Sequence, residues 1–596
     1  MCRIAGIISQ QTNPENLHRQ VKAMCDSMKH GGPDDEGIYL QEEKKICLGH
    51  RRLSILDLSS AGHQPMASLD QKYHISFNGE IYNFKELRTE LSSFGYSFHT
   101  NTDTEVILVA YSHWKTNAFE RFKGMFAFAL VDHESQKTYL VRDPSGIKPL
   151  YYVTTATDLI FASEVKAFSQ TNYNFYTDEN WKIYLLAFGH IPEPFTTLKS
   201  VLSLPKGNYL TWDNSTFHFS LKSYYSFCYT ETIKSVTKAV ESVKTGMIES
   251  VKRHLLSDAP IGVFLSGGID SSIITLVADQ FQKDNLNTLS VQFQETDFSE
   301  KKYQTLVSNE VRGNHQDYTF TYKAFTKSFD KILSAMDQPS TDGINSWFVS
   351  KCAKETGIKA VLSGLGADEL FGGYPSFNRM QTLAILKKLP KSFLRLAENH
   401  PDSKIKRLSY LSYDNPIGEY LFLRGFYTPQ TIAGILDADY KEVDNVLSDF
   451  PTDEGVKSLV GGNRASWLES NLYMQNQLLK DTDYMSMSHG IEVRIPFLDR
   501  DLVNTALDIK QDIKFDSHQI KSLLISAFKD ILPEPIWNRK KMGFTFPFQE
   551  WMGKFKEISD PDAYSNNTSK KLIVDFSKGK LHWSSAFALY HINQAS

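Results

Sequence analysis

Twice in this chain an apolar strand runs into a serine-glycine loop that opens a helix, at IGVFLSGGIDSS (residues 261–272) and at KAVLSGLGADELFGGY (residues 359–374). With LNTLSVQF and helical sequence between them, strands alternate with helices, which predicts βαβ units and a parallel sheet. Sheets of that kind carry ligands at the carboxyl ends of their strands. Backbone N–H groups at such a turn, added to the helix N-terminus, form an anion nest, and glycine lets a phosphate approach the main chain closely. No Walker sequence GxxxxGK[ST] occurs in the chain. Two serine-glycine loops on one sheet suit one phosphate chain, and Asp270, Asp368 and Glu369 then offer hard oxygen ligands for Mg²⁺. The bland alternatives are a glycine turn and a solvated Asp-Glu pair; the strand-loop-helix context favours the phosphate site.

The half before about Trp212 reads differently. CRIAGIIS, KYHISFNGE, MFAFALVD, KTYLVRD and LYYVTTATDLIFASE are short apolar or alternating runs separated by turn residues. FKELRTELSSFG and DTEVILVAYSHWK interrupt them with helical spacing, the second with Asp103 and Thr104 as an acidic, capping start. This predicts an α+β layer domain, ending where turn residues cluster between about Asp213 and Ser235. A length of 596 residues also requires more than one domain. Beyond about Pro375 the chain reads mostly helical, and from about Asp560 it is polar and expected to fray.

Hydrophobic residues at 41%, charged residues at 22% and a net charge of −4 describe a soluble globular protein of small-molecule habit. No run of like charges advertises a nucleic-acid or membrane partner, and no apolar stretch reaches the roughly 18 residues of a span. The cytoplasm is the expected location. Cys2, Cys25, Cys47, Cys228 and Cys352 show no CxxC spacing, so any special cysteine acts as a thiol. Cys2 stands out, directly behind Met1 and ahead of the first strand. A processed N-terminal cysteine carries its own base, because an α-amine of pKa roughly 7.7–8 can take the thiol proton. Its plain alternative is a small buried hydrophobe.

SGGxDS from Ser266 and SGxGxDExFGGY from Ser363 resemble the pyrophosphate loops of N-type ATP pyrophosphatases, in particular the glutamine-dependent asparagine synthetase family. Cys2 resembles the nucleophile of the class II glutamine amidotransferases, and HRRLSILD (50–57), FNGEIYN (77–83), TDTE (102–105) and GMFAFAL (124–130) resemble their motifs in order. The likeness extends to KMGFTFPFQEW, ending at Trp551. It implies an N-terminal Ntn-type sandwich of α-β-β-α layers over residues 2–215. An α/β ATP-pyrophosphatase domain with a largely helical C-terminal part would follow over residues 235–560.

The resemblance also implies roles. Cys2 attacks the glutamine amide, Asn78 and Gly79 form the oxyanion hole, Arg52 holds the substrate α-carboxylate, and Glu80 and Asp103 hold its α-ammonium. Removal of Met1 is then a condition of activity. Leu265, Ser266, Gly267, Gly268, Asp270, Ser271, Val291, Ser363 and Gly364 bind ATP, and Asp270 with Asp368 binds Mg²⁺. Lys521 neutralises charge on the α-phosphate or tetrahedral intermediate, unless it is a solvated helix lysine. Arg494 and Asp499, in GIEVRIPFLD, fit a family block and a buried structural role equally. Glutamine, ATP and a small carboxylic acid, aspartate foremost, are the implied partners, with an internal ammonia route and a homodimer as the implied assembly.

Two departures bear on the acceptor and the first site. The family usually reads GEG where this chain has Gly364-Leu365-Gly366, and an arginine is common where this chain has Gly31 within His30-Gly31-Gly32-Pro33-Asp34. GHIPEPF (189–195) and KMGFTFPFQEW resemble longer bacterial members, some of which amidate carboxylated sugars or other acids; that acceptor is the alternative to aspartate.

Overall fold

The computed structural model describes residues 2–295, 298–515, 519–543 and 546–595. Met1, whose removal the sequence reading requires, lies outside them, as do Ser517 and His518 of SHQIKSLL and Phe544 and Thr545 of KMGFTFPFQEW.

The first part is built on two six-stranded antiparallel sheets. Its strands are β1 (Arg3–Ser9), β2 (Asp35–Gln41), β3 (Ile46–Arg52), β4 (Met66–Ala67), β5 (Tyr73–Ile81) and β6 (Gly124–Asp132). They continue as β7 (Lys137–Arg142), β8 (Tyr151–Thr154), β9 (Asp158–Ala162), β10 (Leu202–Ser203), β11 (Asn208–Asp213) and β12 (Phe219–Ser223). One sheet runs β10-β8-β9-β1-β3-β2 and the other β12-β11-β7-β6-β5-β4. The two-residue period sets the layers: on β1, Ile4 and Ile8 enter the core between the sheets with Ala129 and Trp212, while Ala5 and Ile7 face Leu17 and Val21 of helix α1 (Pro14–Ser27). Helices α2 (Phe84–Ser93) and α3 (Asp103–Trp114) cover the other sheet through Leu87, Val106 and Ile107. The result is the α-β-β-α sandwich expected. Two details differ. Thr102, not Asp103 or Thr104, caps α3, its hydroxyl accepting from Glu105 N at 3.2 Å. The antiparallel system also runs past residue 215, because β12 pairs with β11 through Trp212 and Phe219.

Helix α4 (Val236–His254) leads into a five-stranded parallel sheet of β13 (Ile261–Phe264), β14 (Asn287–Phe293), β15 (Asn314–Phe320), β16 (Ala360–Leu362) and β17 (Glu492–Arg494). Its order, β15-β14-β13-β16-β17, reverses direction at β13, and the two serine-glycine loops leave β13 and β16 on either side of that switch point. Between β16 and β17 the chain is helical and includes α5 (Leu479–Met487). The C-terminal tail is a correction. It does not fray: helices α6 (Asn567–Ser577) and α7 (Trp583–Gln594) bury Ile573, Phe576, Phe587 and Leu589 in the main core, so their apolar positions outweigh the polar composition.

No polar gap separates the two parts. Leu53, Ile55, Tyr82, Met125 and Ile147 of the antiparallel layers belong to one apolar cluster with Val263, Leu362 and Val493 of the parallel sheet. Burial of that seam removes apolar area from water and fixes the two sheets relative to each other.

Two candidate active sites and the seam between them

Cys2 sits just before β1 and is 8% exposed. Its main-chain N–H donates to Asn78 Oδ1 at 3.1 Å, and its thiol lies 4.0 Å from the Leu53 carbonyl. Burial pushes the thiol pKa up. Asn78, fully buried in β5, leaves its Nδ2 with no hydrogen-bond partner among the described residues, a donor held ready beside the thiol. At Gly79 an added Cβ would collide with the Met125 carbonyl, so only glycine lets β5 and β6 approach this closely. Arg52 is pinned by three carbonyls: Nη1 donates to Ser59 O at 2.8 Å and Nη2 to Leu56 O at 3.2 Å and Asp57 O at 2.5 Å. Asp103 accepts from Ile81 N at 2.8 Å, and burial pushes its carboxyl up to about 7. Glu80 is pushed well above the usual carboxylate range by burial and then by the nearby Glu492. The residues implied by resemblance thus converge, and burial raises both of their carboxyls.

Strand β17 enters this site from the other domain. Arg494 is fully buried; its Nε donates to Glu492 Oε1 at 2.5 Å, its Nη1 to His254 O at 2.7 Å, and its Nη2 lies 3.5 Å from Glu80 Oε1. The same residue's carbonyl accepts from Ser363 N at 2.9 Å, at the start of the second serine-glycine loop. Asp499, its companion in sequence, is ion-paired with Arg253 at 2.6 Å and caps the helix that follows.

The second site is a cavity of about 1770 Å³ at the carboxyl ends of β13, β14 and β16. Leu265, Ser266, Gly268, Asp270 and Ser271 line it from the first loop, Val291 from β14, and Ser363, Gly364, Leu365 and Asp368 from the second. Gly267 is the exception and is not in the lining: at φ +80° it turns the loop, and its carbonyl accepts from Nη2 of the lining residue Arg539 at 3.0 Å. An added Cβ at Gly364 would lie 2.9 Å from Asp270 Cβ, so the two loops touch. Lys521 Nζ lies 2.7 and 2.6 Å from the Asp270 carboxylate oxygens and is also paired with Asp368. It is 3% exposed and adopts φ +56°, an uncommon conformation for a residue with a Cβ. It is therefore no solvated lysine. Burial raises Asp270 against the pull of Lys521; burial acts on Asp368 too, but Lys521 and Lys541 overcome it and hold that carboxyl at about 2.

Several cavity residues were not singled out by sequence. Lys541 donates to Asp368 Oδ1 at 2.7 Å and stands in the very block, KMGFTFPFQEW, that the resemblance quotes. Arg539 stacks 3.7 Å from the Tyr303 ring. Asp342 and Asp481 line the wall without an ion pair to any described cation; Asp342 accepts from Gly343 N at 2.8 Å and Asp481 from Ser340 Oγ at 2.7 Å. Burial pushes both carboxyls up, and Asp342 pushes Asp481 further. Nothing in DQPSTDG or LLKDTD marks them in advance.

Comparison with known proteins gives the family. The family model for asparagine synthase covers residues 242–588, and that for the glutamine amidotransferase domain covers residues 1–226. The chain is 32% identical over 589 residues to the glutamine-hydrolyzing asparagine synthetase 1 of Bacillus subtilis (strain 168), covering 95% of this chain and 91% of the relative. It is 28% identical to asparagine synthetase 3 of the same organism, over 96% of this chain and 92% of the relative. It is also 25% identical to amidase chry2 of Gibberella zeae, over 94% of this chain and 91% of the relative. With a thiol site in an antiparallel sandwich joined to a two-loop cavity on a parallel sheet, the chain belongs to the asparagine synthase family and is a glutamine-hydrolysing ligase.

Proposed function

We propose that this enzyme releases ammonia from glutamine at Cys2 and uses it to amidate aspartate, after ATP has activated the acceptor in the cavity beside β13 and β16. The thiol adds to the glutamine side-chain carbonyl, Asn78 Nδ2 and the Gly79 main chain receive the developing oxyanion, and ammonia leaves a thioester that water hydrolyses. Arg52 takes the α-carboxylate of glutamine, and Glu80 with Asp103 its α-ammonium. In the cavity an acceptor carboxylate oxygen attacks the α-phosphorus, pyrophosphate departs, and the acyl-AMP carbonyl becomes open to ammonia. The amine displaces AMP, a far better leaving group than oxide. Asp270 and Asp368 converge on the Lys521 ammonium; were that lysine to turn to the phosphates, the two carboxylates would be the oxygen ligands for Mg²⁺, which would supply charge neutralisation to the phosphate chain when bound. Lys521 and Lys541 are the cations of this chain placed for the same phosphates.

The observation that carries aspartate is the pair Asp342 and Asp481. Burial raises both carboxyls and Asp342 raises Asp481 further, with Lys480 offsetting this only in part, and an α-ammonium on the acceptor relieves that cost, whereas a sugar acid brings no positive charge. Leu365 supports the second reading, a carboxylated sugar or other acid: it is apolar, packs against the core and lines the cavity at the place of the usual glutamate.

Pyrophosphate release screened across aspartate, uronic acids and other carboxylates tests the acceptor. Aspartate is expected to give the signal, and Asp342→Asn to raise its KM by about tenfold, the loss of one charge-assisted hydrogen bond; release with a uronic acid and none with aspartate selects the second reading. Cys2→Ala is expected to abolish glutamine-dependent synthesis while ammonia-dependent synthesis stays within about twofold, since only the first half-reaction uses the thiol; equal loss of both contradicts the two-site scheme. The KM for glutamine is expected to rise about tenfold from pH 8 to pH 6, because the Asp103 carboxyl, at about 7, is protonated as pH falls and cannot then hold an ammonium. Asp103→Asn should flatten that profile, and a flat wild-type profile removes Asp103 from the clamp.

A further inference from the structure

Gly31 stands in the loop where an arginine is common, and the structure shows what occupies the space. A Cβ on Gly31 would lie 2.7 Å from Arg3 Cγ and 3.0 Å from Arg3 Nε, so the side chain of the residue next to the nucleophile lies across it. Arg3 is fully buried. Its Nε donates to Glu164 Oε1 at 2.6 Å, and its Nη2 lies 2.9 Å from Asp483 Oδ2. Glu164 also meets His30 Nε2 at 2.9 Å and Lys166 Nζ at 2.7 Å, and Asp483 meets Lys148 Nζ at 3.4 Å. Burial pushes the Glu164 carboxyl up, but Arg3 and then His30 hold it well below the usual range.

The two carboxylates belong to different parts of the machine. Glu164 follows Ser163, whose N–H donates to Ile4 O at 2.9 Å and whose hydroxyl accepts from Ile4 N at 3.0 Å, so it is fixed to the strand that carries Cys2. Asp483 stands on α5, which also places Asp481 in the wall of the nucleotide cavity. One guanidinium therefore clamps the start of β1 between its own sheet and the helix of the other domain. Without Arg3, Glu164 keeps His30 and Lys166 and Asp483 keeps Lys148 at 3.4 Å, but the one guanidinium that joins the two carboxylates is gone, and the strand end loses its tie to the helix.

We propose that Arg3 is a positioning residue for the thiol: by bridging Glu164 and Asp483 it sets where Cys2 stands against Asn78, and the site needs a guanidinium at this point rather than an arginine at position 3. Arg3 makes no contact assigned to glutamine, so its loss acts on the chemical step and not on substrate affinity. The proposal rests on the reading of Cys2 as the nucleophile.

Exchange of the two positions tests it, with glutamate release from glutamine measured on the full-length enzyme as Arg3→Gly, Gly31→Arg and the double variant. Arg3→Gly is expected to lower kcat about tenfold or more while KM stays within about twofold, the signature of a misplaced nucleophile. Gly31→Arg alone overfills the space already taken by Arg3 and lowers the thermal midpoint. The double variant, which returns a guanidinium to the same space, is expected to recover kcat to within about threefold of wild type. A double variant no better than Arg3→Gly overturns the proposal, as does Arg3→Gly with wild-type kcat. Where Arg3→Gly is insoluble, a soluble and active double variant supports the proposal and an insoluble one overturns it. Wild-type enzyme that releases no glutamate fails the Cys2 reading instead, which keeps the two failures apart.

Discussion

A buried arginine on a three-residue strand holds the two chemistries of this chain in one frame. Arg494 is the last residue of β17, the edge of the parallel sheet; its carbonyl receives the N–H that starts the second nucleotide loop, and its guanidinium lies beside Glu80 in the thiol site. Neither end tolerates free adjustment. Arg494 is paired with Glu492 and faces Glu80 across the seam, so the strand, the loop and the pocket keep one register. Leu53, Tyr82, Met125 and Ile147 pack around this ionic centre and exclude water from the seam. On the proposed function, ammonia released at Cys2 would meet that apolar seam rather than bulk solvent, where it would take a proton and lose its nucleophilicity.

The charges of the two sites are arranged in opposite senses. Around Cys2 the carboxyls of Glu80 and Asp103 are pushed up by burial, and Arg494 only partly offsets this at Glu80. At the loops of β13 and β16 the carboxylates of Asp270 and Asp368 are already met by Lys521, with Lys541 on Asp368, a charge-balanced cluster. Asp342 and Asp481, their carboxyls pushed up by burial, line the same cavity.

What could be read from sequence was local, and what could not was long-range. SGGIDSS announces its own loop because glycine at φ +80° and the opening of a helix are consequences of adjacent residues. The period-2 runs gave the strands, and Thr102 next to Asp103 left only a one-residue uncertainty in the cap of α3. The polar C-terminal stretch misled, because a few apolar positions on α6 and α7 decide burial and composition averages them away. Asp342 and Asp481 gave no signal, since a carboxylate is unpaired only by virtue of what fails to surround it in three dimensions. Gly31 looked like a missing charge; Arg3, 28 positions earlier (31 − 3), lies across its space, and no local pattern connects them.

The central claim is that one molecule makes ammonia at one site and consumes it at the other through the seam around Arg494. Synthesis with amide-¹⁵N glutamine in the presence of excess unlabelled ammonium measures this directly. The account predicts a product amide enriched in ¹⁵N far beyond the bulk ammonium pool, at a level that does not fall as that pool is enlarged while glutamine is saturating. A product whose ¹⁵N content equals that of the bulk pool would contradict it.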